Sequence, residues 1–218
     1  MAASDPAGFA ALQTLLKKRP AAAPGEACDF CATPIEAEHG HLIDLNVRRI
    51  MCACRPCAIV FEPTGAAQGR YKTVPHRYLA LDDVGIDDRL WESLQIPIGL
   101  AFFFRNSSDG KLSAFYPGPA GATESELSLE DWETVAREHP VLASLEADVE
   151  AILVRRPGRE GGPTRCYLVP IDAAYELVGL IRSCWRGFDG GSEAQAKIAA
   201  FFASLVDRGT SRYAGPRF

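Results

Sequence analysis

Long hydrophobic runs are missing from this chain of 218 residues: the longest uninterrupted apolar stretch, Ile98 to Phe104, has seven residues, against about 20 for a membrane-spanning helix. No membrane span is expected. An excess of positive charge is missing as well. With 23 Lys and Arg against 28 Asp and Glu the net charge is −5, which disfavours duplex nucleic acid and anionic membranes as partners. The order of a secretory signal is not found: Asp5 precedes the first apolar stretch and Lys17, Lys18 and Arg19 follow it, so a cytoplasmic location is expected. Catalytic signatures are scarce. H-E-x-x-H, G-x-S-x-G and P-loop patterns do not occur, and the Gly-rich stretches at 118–122, 158–163 and 190–191 lack the Lys-Ser/Thr pair or the strand-to-helix setting that phosphate binding needs. His76 and His139 each adjoin a proline with no nucleophile close in sequence. The balance leans away from an enzyme, although an active site built from distant residues leaves little trace in one sequence.

What is present is cysteine, seven in all, five of them between Cys28 and Cys57. An odd, clustered set suits metal ligation better than a disulfide scaffold. Cys28-Asp-Phe-Cys31 is followed by Cys52-Ala-Cys54-Arg-Pro-Cys57. Two thiolates at i and i+3 on a tight turn present both sulfurs to one ion, and two such knuckles joined by a hairpin close a tetrahedral site. Cys28, Cys31, Cys54 and Cys57 are therefore the expected ligands. Cys52, His39 and His41 are further candidates, since a C-x-C pair can chelate and an H-x-H pair can replace a thiolate or hold a second ion. The alternation of His41 with Ile43 and Leu45 favours instead a solvent-facing or hydrogen-bonded histidine pair. A closed four-thiolate site with zinc is structural. With iron it is a one-electron carrier of rubredoxin type, but Ala32 and Ala58 stand where rubredoxin knuckles carry glycine. Dithiol exchange ranks below metal binding, because neither pair precedes a long helix after a buried strand. Cys166 and Cys184 read as core residues.

Apolar periodicity outlines the rest. Residues 6–18 form an amphipathic helix after Asp5, and 21–27 have linker composition. A hairpin is expected from His41–Leu45 and Arg48–Cys52. Short strands at 71–74 and 77–81 and a helix at 87–94 follow, then a hairpin from Ile98–Arg105 and Lys111–Tyr116 around NSSDG. A helix starts at Ser128. Glu150–Arg156 and Arg165–Val169 make a second hairpin, and two helices close the chain, one from Asp172 with Tyr175, Val178, Ile181 and Arg182 at helical spacing, one from Ser192. The expected class is α+β: an N-terminal helix and linker (1–27), a zinc-ribbon-like four-cysteine module (28–63), a two-hairpin antiparallel α+β domain with C-terminal helices (64–208) and a polar tail (209–218). Arg182, Trp185, Arg186 and Phe188 have the Arg/aromatic mix of interface hot spots and are candidates for partner binding. A core edge is the other reading of the same cluster.

The segments CDFC, HGHLIDL, RRIMCACRPCAIVF, IPIGLAFFF, FYPGPAGATES and YLVPID…LVGLIRSCWRGFDGG together resemble an uncharacterised bacterial family, a domain of unknown function whose genes accompany nickel-iron hydrogenase genes. The resemblance spans about 28–191. It implies a context, hydrogenase accessory or maturation work with a hydrogenase subunit or maturation factor as protein partner, and transfers no catalytic residue. The expected function is a metal-binding, zinc-carrying accessory or assembly protein. The alternative is a rubredoxin-like iron protein passing single electrons in the same system.

Overall fold

The computed structural model describes residues 26–63, 65–81, 86, 88–108, 110–118, 121–125, 144–157, 163–186, 190–208 and 211–213. The expected helices at 6–18 and from Ser128, and Phe188 of the proposed Arg/aromatic patch, lie outside these residues.

Strand pairing follows the alternation in the sequence. β1 (Gly40–Asp44) and β2 (Arg49–Ala53) form the expected hairpin, with His41 opposite Cys52 and Ile43 opposite Ile50. A short helix, α1 (Arg55–Phe61), follows at once, and β3 (Tyr71–Thr73) returns to the free side of β1. The third strand of the cysteine-bearing sheet thus comes from beyond residue 63.

The larger sheet has seven strands. In chain order they are β4 (Leu79–Leu81), β5 (Leu100–Arg105), β6 (Leu112–Gly118), β7 (Gly121–Glu124), β8 (Glu150–Arg155), β9 (Arg165–Pro170) and β10 (Ser211–Tyr213). Their spatial order is β10-β4-β9-β8-β5-β6-β7. The two expected hairpins, β5–β6 and β8–β9, are joined through β5–β8 pairing into one sheet, antiparallel except where β10 runs parallel to β4. Two edge elements have no counterpart in the sequence reading. These are β7, inside a stretch that reads as a glycine loop, and β10, inside the polar tail.

Because successive side chains point to opposite faces, the central strands serve two cores. Phe102, Ala151, Leu153, Tyr167 and Val169 meet Leu177, Ile181, Phe201, Phe202 and Leu205 of the helices α3 (Ile171–Cys184) and α4 (Gly191–Asp207). Ala101, Phe103, Ile152, Val154, Cys166 and Leu168 face Trp91 and Leu94 at and just after α2 (Asp88–Ser93). A strand covered on both faces reads as a continuous apolar run, as FFF and AILV do. Cys166 and Cys184 are buried as expected, and burial pushes the Cys166 thiol up to about 12.

Helix α3 starts directly after β9, so its inward face carries Ile171, Ala174, Leu177, Val178 and Ile181. Tyr175 and Arg182, expected on the same face as Val178 and Ile181, are exposed instead. Trp185 is half-buried against the helical core. A Cβ on Gly190, whose φ is +85°, would lie 3.0 Å from its ring, so this end of the Arg/aromatic segment is packed, while Arg182 and Arg186 face solvent. No helix among the described residues is long and apolar enough to cross a membrane.

Candidate metal centre

The four expected ligands converge. One sulfur from each of Cys28, Cys31, Cys54 and Cys57 lies within 4.8 Å of the other three, and Cys31 Sγ is 3.6 Å from Cys54 Sγ. Zinc–sulfur bonds of about 2.3 Å at tetrahedral angles put sulfurs about 3.8 Å apart, so the cage is already near the size of a metal-filled one. All seven cysteines are free thiols.

Backbone hydrogen bonds set this geometry. The first pair lies on a knuckle in which Ala32 N–H donates to Cys28 O at 2.8 Å and Cys28 N–H donates to Thr33 O at 2.9 Å. Asp29 ties the knuckle to β2 twice: its N–H donates to Cys52 O at 2.8 Å, and its carboxylate accepts the Cys52 N–H at 2.7 Å. The second pair departs from the expected ribbon pattern. Cys54 is the N-cap of α1 with a proline in the first turn, so Cys57 sits one turn into a helix and not on a second knuckle. The order is knuckle, hairpin, helix. Phe30, Phe61 and Tyr71 then pack ring on ring, with centroids 4.7 to 5.2 Å apart, and lock knuckle, helix and β3 together.

The thiols are not equivalent. Hydrogen bonding from the Thr33 hydroxyl and backbone, helped by Cys54, holds Cys31 down to about 6. The hydrogen bond to Cys54, with burial, pushes Cys57 up to about 12. Neighbouring thiols resist joint ionisation and titrate as a set, so a bound cation is what lets all four act as thiolates.

Ala32 has φ +57°, the left-handed conformation that glycine adopts in such a knuckle. The missing glycine therefore reflects tolerated backbone strain of about 1 kcal/mol. Ala32→Gly is expected to raise stability by about that amount with unchanged metal content. A lower denaturation midpoint for this variant would show that the alanine is unstrained.

A second group assembles beside the first. Ligand atoms of His39, His41 and Cys52 all lie within 4.8 Å of one another, and the two rings meet edge-on at 4.7 Å. Neither histidine is simply solvent-facing. The His39 side chain is 7 % exposed, and His41 Nδ1 lies 2.7 Å from Asp172 Oδ2. Burial, with the negative charges of Asp29, Glu26 and Cys28, raises the Cys52 thiol. Asp172 is the residue that sequence reasoning missed. It reads there only as a helix start, 131 positions from His41, and no local pattern links the two.

A cavity of about 670 Å³ opens where β1 and β2 meet the larger sheet, walled by Ile43, Ile50, Phe104, Phe115 and Tyr175 with Arg48 and Asp148 at its lining. The sequence carries no signal for it, since its walls come from five separate segments.

A model described as a family of unknown function, DUF5947, matches residues 27–209. No curated protein and no solved structure matches the chain.

Proposed function

The chain belongs to DUF5947, a family of unknown function, and we propose that it is a zinc-binding accessory or assembly protein that works through protein–protein contacts. The convergence of four cysteine sulfurs carries this reading. Four thiolates fill a tetrahedral coordination sphere, leaving no position for substrate or water, so the ion holds structure. Zinc fits such a sulfur set without redox change. The ion fixes α1, whose Ile59 and Val60 are 55 % and 65 % exposed, an unusual outlay of apolar surface on a helix with no buried residue. That helix beside the cysteines and, as a second surface, exposed Arg182 and Arg186 are the proposed docking surfaces, and the four cysteines with α1 and its hairpin are the proposed ribbon-like module. The resemblance to a family encoded near nickel-iron hydrogenase genes supports a hydrogenase subunit or maturation factor as the partner.

Elemental analysis of purified chain tests the metal. Zinc at the four-thiolate site is the expected result, and iron there, visible as ferric thiolate colour, would replace the assembly role with single-electron transfer. For the partner, tagged chain from hydrogenase-expressing cells is expected to retain a hydrogenase subunit or maturation protein, and Ile59→Glu/Val60→Glu to lose it. Deletion with unchanged hydrogenase activity and no retained subunit removes the hydrogenase context.

A further inference from the structure

We infer that His39, His41 and Cys52 form a second metal site, open at its fourth position, for a zinc-like divalent cation. It is separate from the four-thiolate cage and does not depend on that cage being filled.

Three observations carry this. The first is His39 itself. Its side chain is 7 % exposed, its Nδ1 lies 2.8 Å from the Glu36 carbonyl, and its Nε2 is buried without a hydrogen-bond partner. When Nδ1–H donates to that carbonyl, Nε2 carries a lone pair. A buried polar atom left without a partner is costly, and His39 belongs to one group with His41 and Cys52.

The second is the His41–Asp172 contact. Nδ1–H donates to the carboxylate at 2.7 Å, which fixes the tautomer and leaves Nε2 as the donor to a metal. A carboxylate or carbonyl behind each ligating imidazole is the usual outer shell of a zinc site, and both histidines have one. The third is register. His41 pairs directly with Cys52 across the β1–β2 hairpin, and His39 immediately precedes β1, so two of the three donors are held in register on a sheet and the third adjoins it.

Zinc–nitrogen bonds of about 2.0–2.1 Å and a zinc–sulfur bond of about 2.3 Å put the three donors about 3.3–3.6 Å apart. Side-chain shifts of about 1 Å close the triangle. Cys52, His41 and Asp172 also have the order of a cysteine-nucleophile triad. Among the described residues, however, no hydrogen bond joins Cys52 Sγ to an imidazole, and a triad leaves the buried His39 nitrogen without a use. Three protein ligands leave a position for water or an incoming donor, so the ion is exchangeable. Since Asp172 belongs to α3 and both His41 and Cys52 to the cysteine-bearing sheet, the ion also ties that sheet to α3.

The full chain, reduced and loaded with cobalt(II) and in parallel with zinc, tests this. Two equivalents are expected to bind in two phases: one with the intense charge-transfer bands of four thiolates, one with the weaker bands of a single thiolate. His39→Ala and the bulk-preserving His41→Gln are expected to lose only the second phase and one zinc per chain. The retained four-thiolate spectrum shows that they are folded. Asp172→Asn is expected to weaken the second phase about 10–100-fold, with the first unchanged. A chelator is expected to withdraw the second ion first. A wild type that binds only the four-thiolate equivalent, or two equivalents in both histidine variants, overturns the inference. Loss of the four-thiolate bands alone, with the second phase intact, would count against the structural cage and leave this site standing.

Discussion

Stripped of metal and kept reduced, the chain is expected to lose at least about 4 kcal/mol of stability, a drop of about 8–16 °C in Tm for its length. The physical cause is local. The knuckle, hairpin and α1 have few apolar contacts of their own, chiefly the Phe30, Phe61 and Tyr71 rings and the buried Leu42, Met51 and Ala53, and α1 buries no residue at all. Isolated fingers gain about 10–16 kcal/mol from zinc because nothing else holds them folded. Here the effect is smaller, because Ile43 and Val74 are shared with the core of the larger sheet. Lys72 Nζ also donates to the Ala147 carbonyl at 2.7 Å, so β1 and β3 stay anchored. Cys57→Ser is expected to reproduce the loss without a chelator. Hydrogen exchange checks its location: the amides of Cys28, Ala32 and Ala58 are expected to lose protection while β8 and β9 keep theirs. An unchanged Tm on metal removal would mean that the four sulfurs are only packed thiols.

The four-cysteine cage was legible because spacing encodes it. Two C-x-x-C units need only a hairpin between them, and the alternation around Asn46 announces that hairpin. The helix that carries Cys57 was not legible. Pro56 in its first turn is a start signal, but Ile59 and Val60 point to solvent, so no amphipathic stripe marks it. The central strands were found because strands buried on both faces read as continuous apolar runs, and both C-terminal helices because apolar residues recur at about 3.6 residues. The edge strands β7 and β10 escaped because three or four residues hold too little pattern and their pairing partners are supplied by the fold. The same limit hides the second metal group. His39, His41 and Cys52 stand out as residue types, but the Asp172 carboxylate reaches His41 only when the start of α3 lies beside β1.

Docking also creates the other large expected effect, at Arg77. Glu150 opens β8 with 1 % of its side chain exposed, and Arg77 clamps it through two hydrogen bonds, Nε to Oε1 at 2.7 Å and Nη2 to Oε2 at 2.6 Å. Oε2 also accepts the Glu146 N–H at 2.9 Å, and Arg77 Nη2 reaches the Ser144 carbonyl at 3.2 Å. One fork therefore joins the segment before β4 to the turn that starts β8. Arg77→Ala is expected to cost about 3–5 kcal/mol, because it leaves a carboxylate buried with no counter-charge. Glu150→Gln should cost less, about 1–2 kcal/mol. The amide oxygen still accepts the Glu146 N–H, and Arg77, 39 % exposed, can turn its charge to water. The double variant Arg77→Met/Glu150→Gln is then expected to be more stable than Arg77→Ala alone, since it removes the stranded charge together with its partner. Urea denaturation of the three variants measures this. Equal losses for Arg77→Ala and Glu150→Gln would show that the pair contributes only ordinary hydrogen bonds, and that burial of the Glu150 charge is not what makes Arg77 indispensable.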